Sequence, residues 1–317
     1  MSGYHTPVML DESLSALVTS PSGIYVDVTF GGGGHTAGIL SRLHEDGHVI
    51  AFDRDSDALQ NRIDDGRLTL VRSDFRFLEG QLRLLAHDLA SADPALAARI
   101  AAGPDGILAD LGVSSHQFDT PERGFSFRYD APLDMRMNTE GGTTAADLVN
   151  GADAAQLERI LHLYGEVDGA RRMATLIVAA RDRGPIRTTG DLVRALESVL
   201  PEFGAHKVLA KVFQALRIEV NHEMRSLEKF LEGAARVLRP GGRLAVITYH
   251  SLEDRLVKNF IRTGRADGRE EKDLYGRTAA PLRAVNRKPV TPREDEITKN
   301  TRARSAKLRV AEKTEEA

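Results

Sequence analysis

The chain has 317 residues, 41% of them hydrophobic and 28% charged, which excludes disorder as its overall state and suits about two domains. It contains no cysteine, so a disulfide framework, a zinc–thiolate site, a cysteine-ligated iron–sulfur cluster and a thiol nucleophile are all excluded. Tryptophan is absent too, and a net charge of −3 argues, weakly, against a nucleic-acid partner.

Asp11 and Glu12 stand where a secretory signal would be basic, and no apolar run approaches the roughly 20 residues of a membrane span. A cytoplasmic address without membrane contact is therefore expected. Buried strands are predicted at 24–30 (IYVDVTF), 48–53 (HVIAFD), 68–72 (LTLVR) and 106–111 (GILADL). Apolar residues recur at helical spacing in the intervening 36–43, 56–63 and 77–101. Such alternation predicts βαβ units and a parallel sheet. Residues 112–142, rich in Gly, Pro, Ser and charge, read as a long functional loop. From 145 to 206 the pattern is helical throughout, and one long amphipathic helix is predicted over 207–238, stopped by Arg239-Pro240-Gly241-Gly242. A strand at 243–249, a helix at 252–261 and a last strand at 306–311 complete the prediction.

The expected fold is α/β: a Rossmann-like, mostly parallel sheet over 1–115 and 207–317, with an inserted helical domain at 116–206. The segment 277–309 carries ten Lys/Arg against three acids, so a basic tail follows a more acidic body and hints at a polyanionic partner.

Four segments carry chemistry. In the first, strand 24–30 runs into Gly31-Gly-Gly-Gly34 and His35, where glycines let the backbone approach a ligand and a helix start offers free N–H groups. Asp53, 22 residues beyond Gly31, has the offset of a ribose-binding acid. Gly32, Gly34 and Ala37 also satisfy a loose G-x-G-x-x-A spacing. Asp27, just before the glycines, suits a cationic amino group better than a phosphate, which favours S-adenosylmethionine over a nicotinamide dinucleotide. Asp74 and Phe75 follow strand three and could meet an adenine.

The second segment starts at Asp110, where strand four ends and ligands of open α/β sheets sit. In the third, the arginines and aromatics of 123–128 and 132–137 could clamp a phosphate and stack a base; equally, Phe125, Phe127, Met135 and Met137 could pin the loop to a core. In the fourth, Ser251 is predicted to cap a helix with Asp254 as an imperfect capping box. That leaves Tyr249 at the mouth with His250, a candidate proton acceptor. His250, Glu253 and His35 form no clear ligand triad, and no metal site is expected.

Together TFGGGGH, FDRD, DLGVSSHQFD, RGFSF, PLDMRM, QALRIEVN, YHSLEDR and the terminal NTRARS resemble the bacterial 16S ribosomal RNA (cytosine-N4)-methyltransferase family, also called MraW, over nearly the whole chain. The resemblance implies a class I S-adenosylmethionine-dependent fold with a helical insertion between strands four and five. It implies methylation of the exocyclic N4 of a cytidine in the decoding centre, with 16S rRNA of the small ribosomal subunit as partner. Carried over motif by motif, cofactor contacts fall on Gly33, Gly34, His35, Asp53, Phe75, Asp110 and Gln117. Asp110 is expected between donor and amine, with His250 approaching from strand five, and the helical insertion is expected to recognise substrate. The absence of cysteine agrees, because methylation at C5 of cytosine ordinarily needs a thiol adduct and an exocyclic amine does not. A nicotinamide-dependent oxidoreductase and a non-catalytic RNA-binding protein on the same scaffold remain alternatives, and a homodimer stays open.

Overall fold

A computed structural model describes residues 7–61, 63–271 and 280–315. Its sheet follows from strands that are apolar without alternation, the mark of burial on both faces. In β1 (Ile24–Asp27), β2 (His48–Asp53), β4 (Gly106–Asp110) and β5 (Arg243–Thr248) nearly every residue is buried. Because successive side chains point to opposite faces, Val26, Ile107 and Val246 enter one core, while Tyr25, Leu108 and Ile247 enter another. With β3 (Leu68–Arg72), β6 (Leu282–Ala284) and β7 (Lys307–Lys313), the sheet has seven strands in the order β3-β2-β1-β4-β5-β7-β6. β1 to β5 run parallel, and β7 lies antiparallel between β5 and β6. This is the Rossmann-like α/β sheet that was expected. The order reverses between β1 and β4, the position where such sheets leave a ligand crevice beyond their carboxyl ends.

The chain divides into two compact units, Met1–Gly112 with Met224–Ala317, and Val113–Glu223. The first holds the sheet. The second has its own core, in which Leu157, Ile160, Ile177, Leu192, Val212 and Leu216 are buried between helices Ala154–Gly165, Ala170–Arg181, Thr189–Leu196 and Ala205–Val220. Several of its helices start with reciprocal capping boxes, as at Asp153–Gln156 and Thr188–Asp191.

The return to the sheet unit comes at Met224, not near 207, because the single helix expected over 207–238 is two helices, Ala205–Val220 and Glu223–Val237. The break has a cause that periodicity hides. Asn221 is buried, its Nδ2 donating to the Met135 carbonyl at 2.7 Å while its Oδ1 accepts from the Met137 amide at 2.8 Å, and His222 turns the chain with φ 50°. The helix expected over 77–101 is likewise split into Leu78–Leu89 and Pro94–Ala101, with Asp93 capping the second. Where 56–63 promised a helix there is a single turn, Ala58–Gln60. The loop 112–142 contains the short helix Ser115–Asp119. No helix among the described residues is long and apolar enough to cross a membrane.

In segments 123–128 and 132–137 the aromatics, the methionines and Arg123 are used in packing, while Arg128 is exposed. Phe125, Met135 and Met137 are buried in the second unit's core, and Phe127 meets Phe213 edge-on at 5.2 Å. Arg123 is buried as well, donating to the carbonyls of Arg136 and Met137, so it is no phosphate clamp. Gly124, with φ 70°, has no room for a side chain, since a Cβ would collide with the Pro132 carbonyl and lie 2.7 Å from the Asp134 nitrogen. In the basic tail, Arg277 lies outside the described residues. Arg309 is turned inward, its Nε donating to Asp254 at 2.6 Å, and Lys307 joins the same carboxylate at 3.4 Å.

Candidate functional site

Parallel strands deliver their last residues to one edge, and here three of those residues are acids: Asp27 on β1, Asp53 on β2 and Asp110 on β4. Each has a different task. Asp27 is fully buried; one oxygen accepts from the Thr36 hydroxyl at 2.7 Å and the other from the Thr29 amide at 3.1 Å. Thr29 in turn accepts from the Asp110 amide at 2.7 Å, tying the ends of β1 and β4 together across the switch point. Asp27 thus ties the end of β1 to the helix behind the glycine loop, each of its oxygens accepting from the chain as those of Asp53 also do.

The glycine loop hangs between Asp53 and the helix Gly34–Leu40. Asp53 accepts from the Gly31 amide and the Asp55 amide, each at 2.8 Å. Burial pushes its carboxyl up against the downward pull of those two amides. Gly33 caps the helix with φ 77°, and a Cβ there would press on the Phe30 ring at 3.1 Å. At Gly34 a Cβ would collide with Pro7, whereas at Gly32 it would meet nothing within 4 Å, which leaves the loop backbone bare on that side.

His35, buried, points Nε2 at the Val8 carbonyl at 3.1 Å. A carbonyl only accepts, so Nε2 carries a proton and Nδ1 is the nitrogen facing Asp110, 3.7 Å from Oδ2. On the other side the Tyr249 hydroxyl donates to Asp110 Oδ1 at 2.7 Å. Burial pushes the Asp110 carboxyl up to about 6; His35 and Tyr249 pull it down, and the neighbouring Asp27 and Glu253 push it further up. The Tyr249 phenol is part-buried and held well above its ordinary range, so it stays a donor.

His250 is tied into a helix start through one of its two nitrogens. It is the N-cap of helix Ser251–Thr263, a place predicted for Ser251, and its Nδ1 accepts from the Glu253 amide at 3.4 Å. Its Nε2 lies 3.1 Å from Glu253 Oε1, and the ring is only 8% exposed. Glu253, buried at 3%, also accepts from the Tyr249 amide at 2.8 Å. Nδ1 of His250 thus shapes the turn that aims Tyr249, while its buried Nε2 makes no hydrogen bond among the described residues. Asp254, instead of closing a capping box, faces Arg309.

Phe75 is half-buried after β3 and packs edge-on to Phe230 at 5.5 Å. Asp74 caps the turn at Arg76 and holds Arg54 at 3.2 Å. Gln117, in the second unit, forms a capping box with Ser114, whose hydroxyl accepts from the Gln117 amide at 3.1 Å. Tyr249, which holds Asp110, is the residue of this edge to which the sequence assigned no task. Its signal was its position directly after β5, on the same edge as Asp110.

The edge is acidic: it carries Asp27, Asp53, Asp110 and Glu253, and Asp27 and Glu253 lie close enough to Asp110 to raise it. A pyrophosphate would be repelled there, and a cation welcomed.

Comparison with known proteins agrees in direction. Residues 2–314 match the model of the MraW methylase family. A Bacteroides fragilis protein named ribosomal RNA small subunit methyltransferase H is 53% identical over 313 residues, covering 98% of this chain and 97% of the relative. Proteins of the same name from Parabacteroides distasonis (52% identical, covering 98% of this chain and 97% of the relative) and Flavobacterium johnsoniae (49%, covering 98% of each) are similar end to end.

Proposed function

The chain belongs to the MraW methylase family, and from that premise we propose that it methylates a cytidine of small-subunit ribosomal RNA on the exocyclic N4, with S-adenosylmethionine as donor. The observation that carries this reading is the Asp110 carboxylate, gripped by Tyr249 at 2.7 Å and faced by His35 at 3.7 Å, on an acidic strand edge beside a bare glycine loop.

The residues fit the donor. It is a cation at its sulfonium and its amine, and the edge offers carboxylates rather than a phosphate cradle. Asp53 would accept from the ribose hydroxyls, the backbone of Gly33 and Gly34 would lie along the ligand, Phe75 would border the adenine, and Gln117 follows from the family pattern. The donor supplies an electrophilic methyl group on sulfur.

The chain's part is alignment and proton acceptance. The N4 lone pair of cytosine is delocalised into the ring, so Asp110 must accept a hydrogen bond from that amine and turn its lone pair toward the methyl. Such alignment is worth on the order of 7–11 kcal/mol when it is good. Methylation leaves the nitrogen carrying a labile proton, and a carboxylate whose affinity for protons has been raised by burial is suited to receive it. Tyr249 keeps one carboxylate oxygen occupied and the other directed. The base must leave its stack or pair first, at a cost of a few kcal/mol. The unit Val113–Glu223, with Arg171, Arg172, Arg183 and Arg187 exposed, supplies substrate recognition. Arg181 in the same unit instead donates to the carbonyls of Val149 and Ala152.

Incubating the protein with unmodified small-subunit rRNA and isotopically labelled S-adenosylmethionine, then mapping methyl groups by mass spectrometry, tests the reading. Label on the N4 of a decoding-centre cytidine is the expected result. Label at C5, or on no cytidine, overturns it.

A further inference from the structure

Wholly within the sheet unit, a cleft of about 320 Å³ opens between the start of helix Leu78–Leu89 and the middle of helix Glu223–Val237. Its walls carry three cations, Arg76, Lys229 and Arg236, against one acid, Glu79. That acid is occupied, accepting from Arg236 at 2.7 Å and from Arg83 at 2.6 Å. Lys229 is exposed and has no ion-pair partner among the described residues. Phe77, at the rim, leaves half its surface in water, with the Arg76 guanidinium 4.7 Å from its ring centre.

Two glycines form part of the lining, and packing requires neither. A Cβ at Gly80 would meet nothing within 4 Å, and one at Gly233 would touch only Glu79, at 3.9 Å. Glycine inside a helix is unfavourable relative to alanine, so two such positions lining one cleft call for a reason outside the folded chain. Close approach of a ligand is such a reason.

We propose that this cleft is a second RNA contact, which holds a single-stranded stretch of the substrate away from the reacting cytidine. A phosphodiester lies between Lys229 and Arg236 over the two glycines, and a base stacks on the open face of Phe77. Positive charge beside an aromatic face is the combination that single strands engage irrespective of sequence. The inference rests on the reading that the chain acts on RNA.

Three variants test it in the full-length protein: Phe77→Ala, Lys229→Gln and Gly233→Gln. The last fills the cleft from a position with room for its Cβ, so its melting temperature should be at least that of the wild type. Affinity for a small-subunit rRNA fragment is measured across a salt series, alongside single-turnover methylation at saturating RNA. Phe77→Ala and Gly233→Gln should each weaken RNA binding about tenfold. Lys229→Gln should lower the salt slope by about 0.7, the loss of one phosphate contact on a single strand. Turnover at saturating RNA should be unchanged in all three. Wild-type affinity and salt slope in the three variants would overturn the cleft while leaving the proposed function intact. A wild-type protein that bound no RNA would remove both. Reduced affinity for cytidine monophosphate with unchanged RNA affinity would mark a small-anion site and overturn the RNA assignment.

Discussion

At the scale of single residues, the site is a part-buried acid, its side chain 22% exposed, kept in tension. Asp110 ionises near pH 6 in the folded protein against 3.8 for a free side chain, because burial outweighs the help of His35 and Tyr249. Between those values the folded state holds a proton that the unfolded state has released. Its contribution to stability is therefore fully present below about pH 4 and falls away as pH rises through 6. Asp110→Asn should abolish methyl transfer and yet be more stable than wild type at pH 8, by about 1–3 kcal/mol, with the gap closing at pH 4. Urea titrations at the two pH values check this, and equal midpoints at pH 8 would show that the Asp110 carboxyl is not raised. Tyr249→Phe removes a donor that favours the carboxylate, so the acidic limb of the methylation profile should move to higher pH, by up to about one unit. A fall in rate with an unmoved limb would make Tyr249 a packing residue only. Asp53→Ala should cost tenfold to 150-fold in donor affinity, for a lost charged hydrogen bond of about 1.5–3 kcal/mol. Calorimetry on the folded variant decides that.

At the scale of elements, strand β7 and helix Ser251–Thr263 are joined by one buried ion pair. Arg309 and Asp254 are 11% and 14% exposed, with Nε to Oδ1 at 2.6 Å. Burial alone would push the Asp254 carboxyl up, but the hydrogen bonds and charge of Arg309 and Lys307 bring it below the ordinary value. Its stabilisation is thus present above about pH 4 and lost as pH falls through the lowered folded value. Asp254→Ala strands a buried guanidinium and should cost about 3–5 kcal/mol at neutral pH. A denaturation midpoint within error of wild type would show that water reaches Arg309. The strand itself was readable in AKLRVA. What its arginine does was not, since a charged residue in a strand pattern reads as an edge facing solvent until its partner, 55 positions away, is seen.

At the scale of the whole molecule, the division into two units has a testable consequence. Val113–Glu223 contains its own core, its own capping boxes and the Asn221 clamp on Met135 and Met137. Produced alone, that segment should be helical and unfold cooperatively. A fragment without cooperative unfolding would show that its core depends on the rest of the chain.

The amino-acid sequence alone determined the alternation of strands and helices, because strands buried on both faces are continuous apolar runs. It likewise determined the glycine turn, and the placing of Asp53 and Asp110 at strand ends, because βαβ connections bring those ends to one edge. Tertiary structure decided which polar residues face a ligand and which are consumed by the chain. Asp27 and Arg123 both looked available, and each is held by the chain itself. Tyr249 had no assigned task until its hydroxyl was seen to reach Asp110, 139 residues earlier. The reason is physical. A buried polar group must find a hydrogen-bond partner, and the identity of that partner is set by packing between distant segments, which no local pattern records.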